Sequence, residues 1–199
     1  SNKMRIDLLN KHLQENPKDP RTTFYLAREY RDGNLPLLAI NMYARFLDLN
    51  TTFIDERWQS CYDTSLCWKQ QGEYDKAKDA LSAAINIDPS RAESYNLLGM
   101  IEYELQNYEV AVDHFQKALS LPVPQHVILF LNPQMHLEVP LDYLQLCYDK
   151  LKMYKEGMAC SEKLISLRGD KPVDQRYVNN LAWFKSVGYL NIFFTLFGT

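Results

Sequence analysis

The residues able to do chemistry are few, and they are scattered. His126 and His136 lie ten positions apart, with only Glu138 close by to add a ligand. A metal centre needs more donors than that, so these two, with His12 and His114, read as surface or turn histidines. Cys61, Cys67, Cys147 and Cys160 contain no C-x-x-C pair. They read as free buried thiols of a reducing compartment rather than a disulfide or metal framework. Asp55-Glu56 stands where a helix should begin and favours its positive end, so it is not an acid–base pair. There is no glycine-rich phosphate loop, G-x-S-x-G, H-E-x-x-H or D-x-D. No catalytic residue, cofactor or metal follows for this chain. A net charge of −3 with dispersed basic residues argues against a nucleic-acid partner.

The elements that would position any site are much clearer. Tyr74 and Tyr108, Ala77 and Ala111, Leu81 and Phe115, and Ala84 and Ala118 are each 34 residues apart. That period, with a small residue followed one turn later by a bulky one, is the signature of a tetratricopeptide-type helix pair. The alanines mark where helix B crosses its own helix A, and Leu81 and Phe115 fill the seam on the same face. A single hairpin cannot bury its apolar face, so such pairs come in series. The spacing predicts an all-α, right-handed tetratricopeptide-like superhelix (a solenoid) of about five helix pairs, forming a single domain over residues 1–199.

In chain order, residues 4–16 read as an N-terminal helix with Ile6, Leu9 and Leu13 on one face, stopped at Asn16-Pro17. Helix pairs are expected over 20–49, 55–89, 91–121 and 140–167. Gly33 should close the first A helix and Pro36 open its B helix. Ala39, Tyr43 and Phe46 repeat the small–bulky spacing, Gly72 makes the next turn, and Cys61, Leu66 and Trp68 are expected inside. Residues 122–139 break the period. Their proline-flanked apolar run Val127 to Leu131 reads as an irregular insert packed on the helices, with a short strand as an alternative. Gly157 takes the small-residue position of the last pair, and Pro172 should open a capping helix that ends near 187. The apolar tail from Tyr189 to Phe197 is too short for a membrane span. It is expected to cap the solenoid end, to support self-association through residues 189–197, or to be the exposed remnant of a cut chain.

One stretch resembles more than a generic repeat. Pro17 or Pro20, Arg21, Phe24, Tyr25, Leu26, Ala27, Tyr30, Arg31 and Asp32 resemble the tetratricopeptide region that follows the catalytic domain in many family 2 glycosyltransferases. Further echoes are IDPSRAE over 87–93, LDYLQLCYDKLKMYKEGMACSEKLI from Leu141, and NNLAWF from Asn179. Asn34 after Gly33, and the tail after 187, depart from that pattern. The resemblance implies a parent protein that transfers sugar from a nucleotide sugar, with its catalytic half before residue 1; the free thiols, separately, lead to the expectation of a cytoplasmic location. This chain, lacking D-x-D and any strand–helix alternation, would then serve as a non-catalytic interaction or docking module. Ser1-Asn2 reads as a tag remnant.

In such solenoids the A helices line the concave face. Helical phase offers Arg21, Phe24, Arg28 and Arg31 there, then Gln59, Tyr62, Leu66 and Lys69, then Glu93, Asn96, Met100 and Tyr103, and finally Asp142, Leu146 and Asp149. Two readings stay open. One is a face for a protein or extended-peptide partner, or for an adjacent catalytic domain of the same polypeptide, with Arg28 and Arg31 pairing with a carboxylate or phosphate. The other is a solvated face with local ion pairs. Leu66 and Met100 stand where a chaperone-type carboxylate clamp would need Asn and Lys. A free-standing adaptor that binds a peptide is the alternative to the docking module.

Overall fold

The computed structural model describes residues 2–125, 127 and 129–197, with side chains through Gly188. Among these residues the chain is all-α, with ten α-helices, one 3-10 turn and no strand. The helices are α1 Asn2–Glu15, α2 Pro20–Asp32, α3 Pro36–Asp48, α4 Ile54–Gln70, α5 Tyr74–Ile87, α6 Ala92–Glu104, α7 Tyr108–Ser120, α8 Glu138–Lys150, α9 Tyr154–Ser166 and α10 Gln175–Phe197, and the 3-10 turn is Pro133–His136. The expected hairpins α2–α3, α4–α5, α6–α7 and α8–α9 are all present.

The hairpins close in one way. At each A-to-B turn one residue takes a left-handed backbone: Asn34 (φ 58°), Gly72 (74°), Gln106 (63°) and Lys152 (58°). The next amide then donates to the carbonyl five residues back: Leu35 to Tyr30, Glu73 to Trp68, Asn107 to Glu102 and Met153 to Tyr148, all at 2.8–3.0 Å. This is the Schellman closure, which satisfies carbonyls left over at a helix C-terminus. Gly72 and, to a lesser degree, Asn34 are residue types that such a backbone favours; Gln106 and Lys152 are not. Gly33 closes α2 as its C-cap, as expected, but not in the left-handed conformation. It sits one position early at φ −82°, and Asn34 takes the left-handed place.

The small residues stand where the period puts them. Ala39, Ala77, Ala84, Ala111 and Ala118 are all fully buried, as are Tyr43, Leu81 and Phe115. A Cβ on Gly99 would come within 2.7 Å of the Phe115 ring, and one on Gly157 within 2.5 Å of the Phe184 ring. These positions set how closely neighbouring backbones approach.

The chain forms two compact units: Ser1–Ser94 with Pro124–Leu131, and Tyr95–Val123 with Asn132–Thr199. The insert contributes its middle, 124–131, to the first and its ends to the second. The first is centred on Phe24, Ala27, Ala39, Tyr43, Phe46 and Cys67, with Trp58, Cys61 and Ala84 alongside. The second is centred on Phe115, Leu141, Leu144, Cys147, Tyr148, Leu164 and Tyr177. Burying each large apolar side chain contributes about 1.5–3 kcal/mol.

Several local expectations need correction. Trp58 is the tryptophan inside; Trp68 and Leu66 are only partly buried, and Lys76 Nζ lies 4.6 Å from the Trp68 ring centroid. Helix α8 starts at Glu138, so Pro140 sits within its first turn, where a missing N–H is tolerated. The last helix starts at Gln175 rather than Pro172. Asp174 sets its start by accepting from the Arg176 amide on Oδ1 (2.9 Å) and from the Tyr177 amide on its carbonyl (3.0 Å). The backbone then stays helical past 187 to Phe197. Capping or self-association by the tail side chains 189–197 lies outside the described residues. Among the described residues no helix is long and apolar enough to cross a membrane.

Candidate protein-interaction site

The A-helix faces are not the open surface that helical phase suggests. In the first unit, α2 carries Phe24, Arg28 and Arg31 along one stripe. Phe24 is buried in the core, with rings of Phe46 at 5.4 Å and Tyr43 at 6.3 Å. It therefore cannot stand free in a groove. Arg31 already has partners within the chain. It pairs with Asp32 (2.8 Å) and, through Nη1, with the fully buried carboxylate of Asp63. Asp63 also accepts from Tyr43 Oη and from Gln59 Nε2, each at 2.7 Å. Burial pushes the Arg31 pKa down, but the Asp63 charge, Tyr43 and the hydrogen bonds to Asp32 and Asp63 together outweigh it, and the net shift is upward. Burial, reinforced by Asp63, raises the Tyr43 phenol well above its ordinary range. This network locks α2, α3 and α4 together. Arg21 is exposed. Lys69 and Tyr62 are partly buried, and Tyr62 stacks on Trp58 at 4.9 Å.

Beyond the network, part of the insert lies on this face. Arg28 sits 5.0 Å from the centroid of Phe130 and 5.9 Å from that of Phe24, and the two rings are 5.9 Å apart. Cation–ring contacts of this kind contribute about 0.5–2 kcal/mol, most when desolvated. Asp55 Oδ2 accepts from the Leu129 amide at 3.1 Å, and Arg91 Nη2 donates to the Leu129 carbonyl at 3.3 Å. Arg91 is fully buried. Its guanidinium lies 3.6 Å from the Trp58 ring centroid, with Glu93 at 3.7 Å and Asp55 at 3.9 Å. Burial lowers its pKa, and Glu93 and Asp55 oppose that shift. Among the described residues Arg28 Nε, Trp58 Nε1 and Arg91 Nε are buried donors without a hydrogen-bond partner.

In the second unit the expected face is also engaged. Asn96 is buried and donates through Nδ2 to the Met135 carbonyl at 2.5 Å. Met100 and Tyr103 pack against the core, with Tyr103 edge-on to Tyr108 and Tyr143. Asp142 accepts from Arg176 Nη2, and Asp149 from Trp183 Nε1, both at 2.8 Å. Helix α10 thus takes the partners that α8 would have offered outward. His136 is a turn histidine rather than a surface one, at the end of the 3-10 turn. It is buried and donates through Nδ1 to the Leu121 carbonyl at 3.2 Å. His126 lies outside the described residues. The four cysteines are buried and unpaired. Burial pushes the thiols of Cys61, Cys67 and Cys160 up to about 11 and that of Cys147 to about 12, which makes them poor nucleophiles. No group of three His, Cys, Asp or Glu side chains among the described residues could hold a metal.

The structure therefore brings together Arg28, Phe24 and Tyr62 of the expected set. It adds Asp55, Trp58, Arg91 and Phe130, which helical phase did not select. The apolar run of the insert was the one signal for Phe130. Nothing local announced Arg91, which follows a turn like any capping residue.

Residues 59–91 and 92–121 match models of the tetratricopeptide repeat, so the chain carries these repeats. No curated protein sequence matches the chain significantly. Solved structures that resemble it include residues 41 to the end of MamA from Desulfovibrio magneticus RS-1. That match has a TM-score of 0.66 at 17% identity and covers 84% of this chain and 85% of that one. A second is YrrB, described as a tetratricopeptide protein with an unusual peptide-binding site (TM-score 0.64, 16% identity, 91% and 84% covered). A third is TTC0263, a thermophilic tetratricopeptide protein of Thermus thermophilus (0.57, 18%, 90% and 88%). At these identities the likeness is one of fold. None of these matches supports the glycosyltransferase resemblance.

Proposed function

We propose that this chain is a non-catalytic protein-interaction module whose first unit receives an extended peptide on the face built by α2, α4 and the start of α6. One observation carries the reading. Two charged side chains, Asp55 and Arg91, bond both the amide and the carbonyl of a single residue, Leu129, while Arg28 and Phe24 hold the ring beside it. That geometry reads main chain first and side chain second, as extended-peptide sites do. The repeats and the likeness to YrrB support the same class. A free-standing adaptor suits these observations, and four unpaired buried thiols suit a cytoplasmic setting.

The test is capture of a defined partner by the native chain and by Arg28→Glu. Reversing that charge beside Phe24 should weaken capture at least tenfold. Unchanged capture would remove the α2 face from the function.

A second reading places the module behind a family 2 glycosyltransferase domain of the same polypeptide. It rests on the Arg21 to Asp32 resemblance alone. An upstream α/β domain with D-x-D in the parent reading frame would support it, and a gene beginning near Met4 would count against it.

A further inference from the structure

The contacts of Leu129 and Phe130 are those of a bound peptide, made by the chain on itself. Phe130 packs against both Arg28 and Phe24, and the Leu129 amide and carbonyl bond to Asp55 and Arg91. Leu129 is exposed at 41%, so its side chain carries less of the contact than the Phe130 ring does. We infer that Leu129-Phe130 is an internal ligand, occupying in cis a site that takes, from a partner, an extended peptide with one aromatic residue. This rests on the reading of the first unit as a peptide receiver.

The internal ligand fits imperfectly, in two ways. Phe130 adopts φ +61°, a left-handed backbone that a bulky residue rarely takes. Buried donors at Arg28 Nε, Trp58 Nε1 and Arg91 Nε are left without acceptors. A partner in ordinary extended conformation avoids the first defect. An added carbonyl or carboxylate oxygen near these donors would relieve the second. Against this, Phe130 is tethered, and its high effective concentration opposes any external competitor. Occupancy is thus a contest between a poorly fitting tethered segment and a better-fitting free one. Removing the ring should tilt it towards the free one.

The test uses the full chain and a fluorescein-labelled peptide carrying the sequence of residues 127–133, with a Lys-Lys tail for solubility, read by anisotropy. The Phe130→Ala chain should bind this peptide at least tenfold more tightly than the native chain does. Replacing the peptide's phenylalanine by alanine should abolish binding, and adding Arg91→Met to Phe130→Ala should weaken it at least tenfold. If Phe130→Ala melts below the assay temperature, Phe130→Gly replaces it, since glycine suits the left-handed backbone and also lacks the ring. A flat titration on a ring-deleted chain that still melts cooperatively overturns the inference. So does equal binding of the alanine peptide. If instead the native chain dimerises on concentration and loses peptide binding as it does so, the occupant is a second copy and the peptide proposal falls. None of these results touches the broader module reading, which the Arg28→Glu capture answers separately.

Discussion

The A and B helices solve the burial problem differently. The B helices α3, α5 and α7 bury alanines with Tyr43, Phe46, Leu81 and Phe115. The A helices α4, α6 and α8 bury Gln59, Ser60, Asp63 and Ser65, then Glu93, Ser94 and Asn96, then Gln145. A buried apolar contact is non-directional and tolerates exchange of similar volumes. A buried polar group needs a particular partner in a particular place. The B helices therefore set spacing, whereas the A helices set identity: which helix meets which, and what can lie on the face between them.

The sharpest way to break that contrast is Asp63→Ala. It leaves Arg31, Tyr43 Oη and Gln59 without their shared acceptor, and should lower stability by about 3–5 kcal/mol in urea unfolding. Asp32→Ala, which removes only the exposed partner of Arg31, should lose less than about 1 kcal/mol. Equal losses would mean that the buried network does not distinguish the A helices. On the B side, Ala77→Leu or Ala111→Leu should destabilise by about 1–3 kcal/mol through overpacking. Unchanged melting of both would show that the alanine contacts do not set the spacing.

Caps and turns offer smaller tests. Asp19 caps α2 by accepting from the Thr22 amide at 2.9 Å. A hydrogen bond from the Thr22 side chain, chiefly, holds its carboxyl below the ordinary value of 3.8, and the Thr22 amide adds to the shift. Its contribution is therefore present above about pH 3.8 and lost as the pH falls through the lowered folded-state value. Asp19→Ala should cost about 1 kcal/mol at neutral pH, and the gap from the native chain should narrow steadily as the pH falls below 3.8; a gap that does not change with acidification would rule out the carboxylate as its source. Last, Gln106→Gly and Lys152→Gly place glycine where the backbone is left-handed. Each should raise stability by about 0.5–1 kcal/mol, and a loss at both sites would show that these side chains do more than occupy the turn.

The turns also show where local reading stops. Gly72 announced its turn, whereas Lys152 at the same structural position did not, because a lysine tolerates the left-handed backbone at modest expense. Trp58 and Trp68 lie ten positions apart on α4, and composition alone favours neither for burial. The residues of the α2 stripe divided: Arg31 went to Asp63, Phe24 to the core, where its ring also meets Phe130, and Arg28 to Phe130. Asp142 and Asp149 were placed on the right helix but are held by Arg176 and Trp183, 34 positions further along.

What the sequence alone determined is the hairpin architecture. Small residues at a 34-residue period, and the spacing of Ala39, Tyr43 and Phe46, record how closely adjacent backbones pack, and that relation is local. What only the tertiary structure decided is the fate of the polar A-helix side chains and the resting place of the insert. Tyr43 meets Asp63 across 20 positions and Asp55 meets Leu129 across 74. A directional bond between groups so distant leaves no periodic trace in the chain, because its geometry exists only once the helices between them have packed.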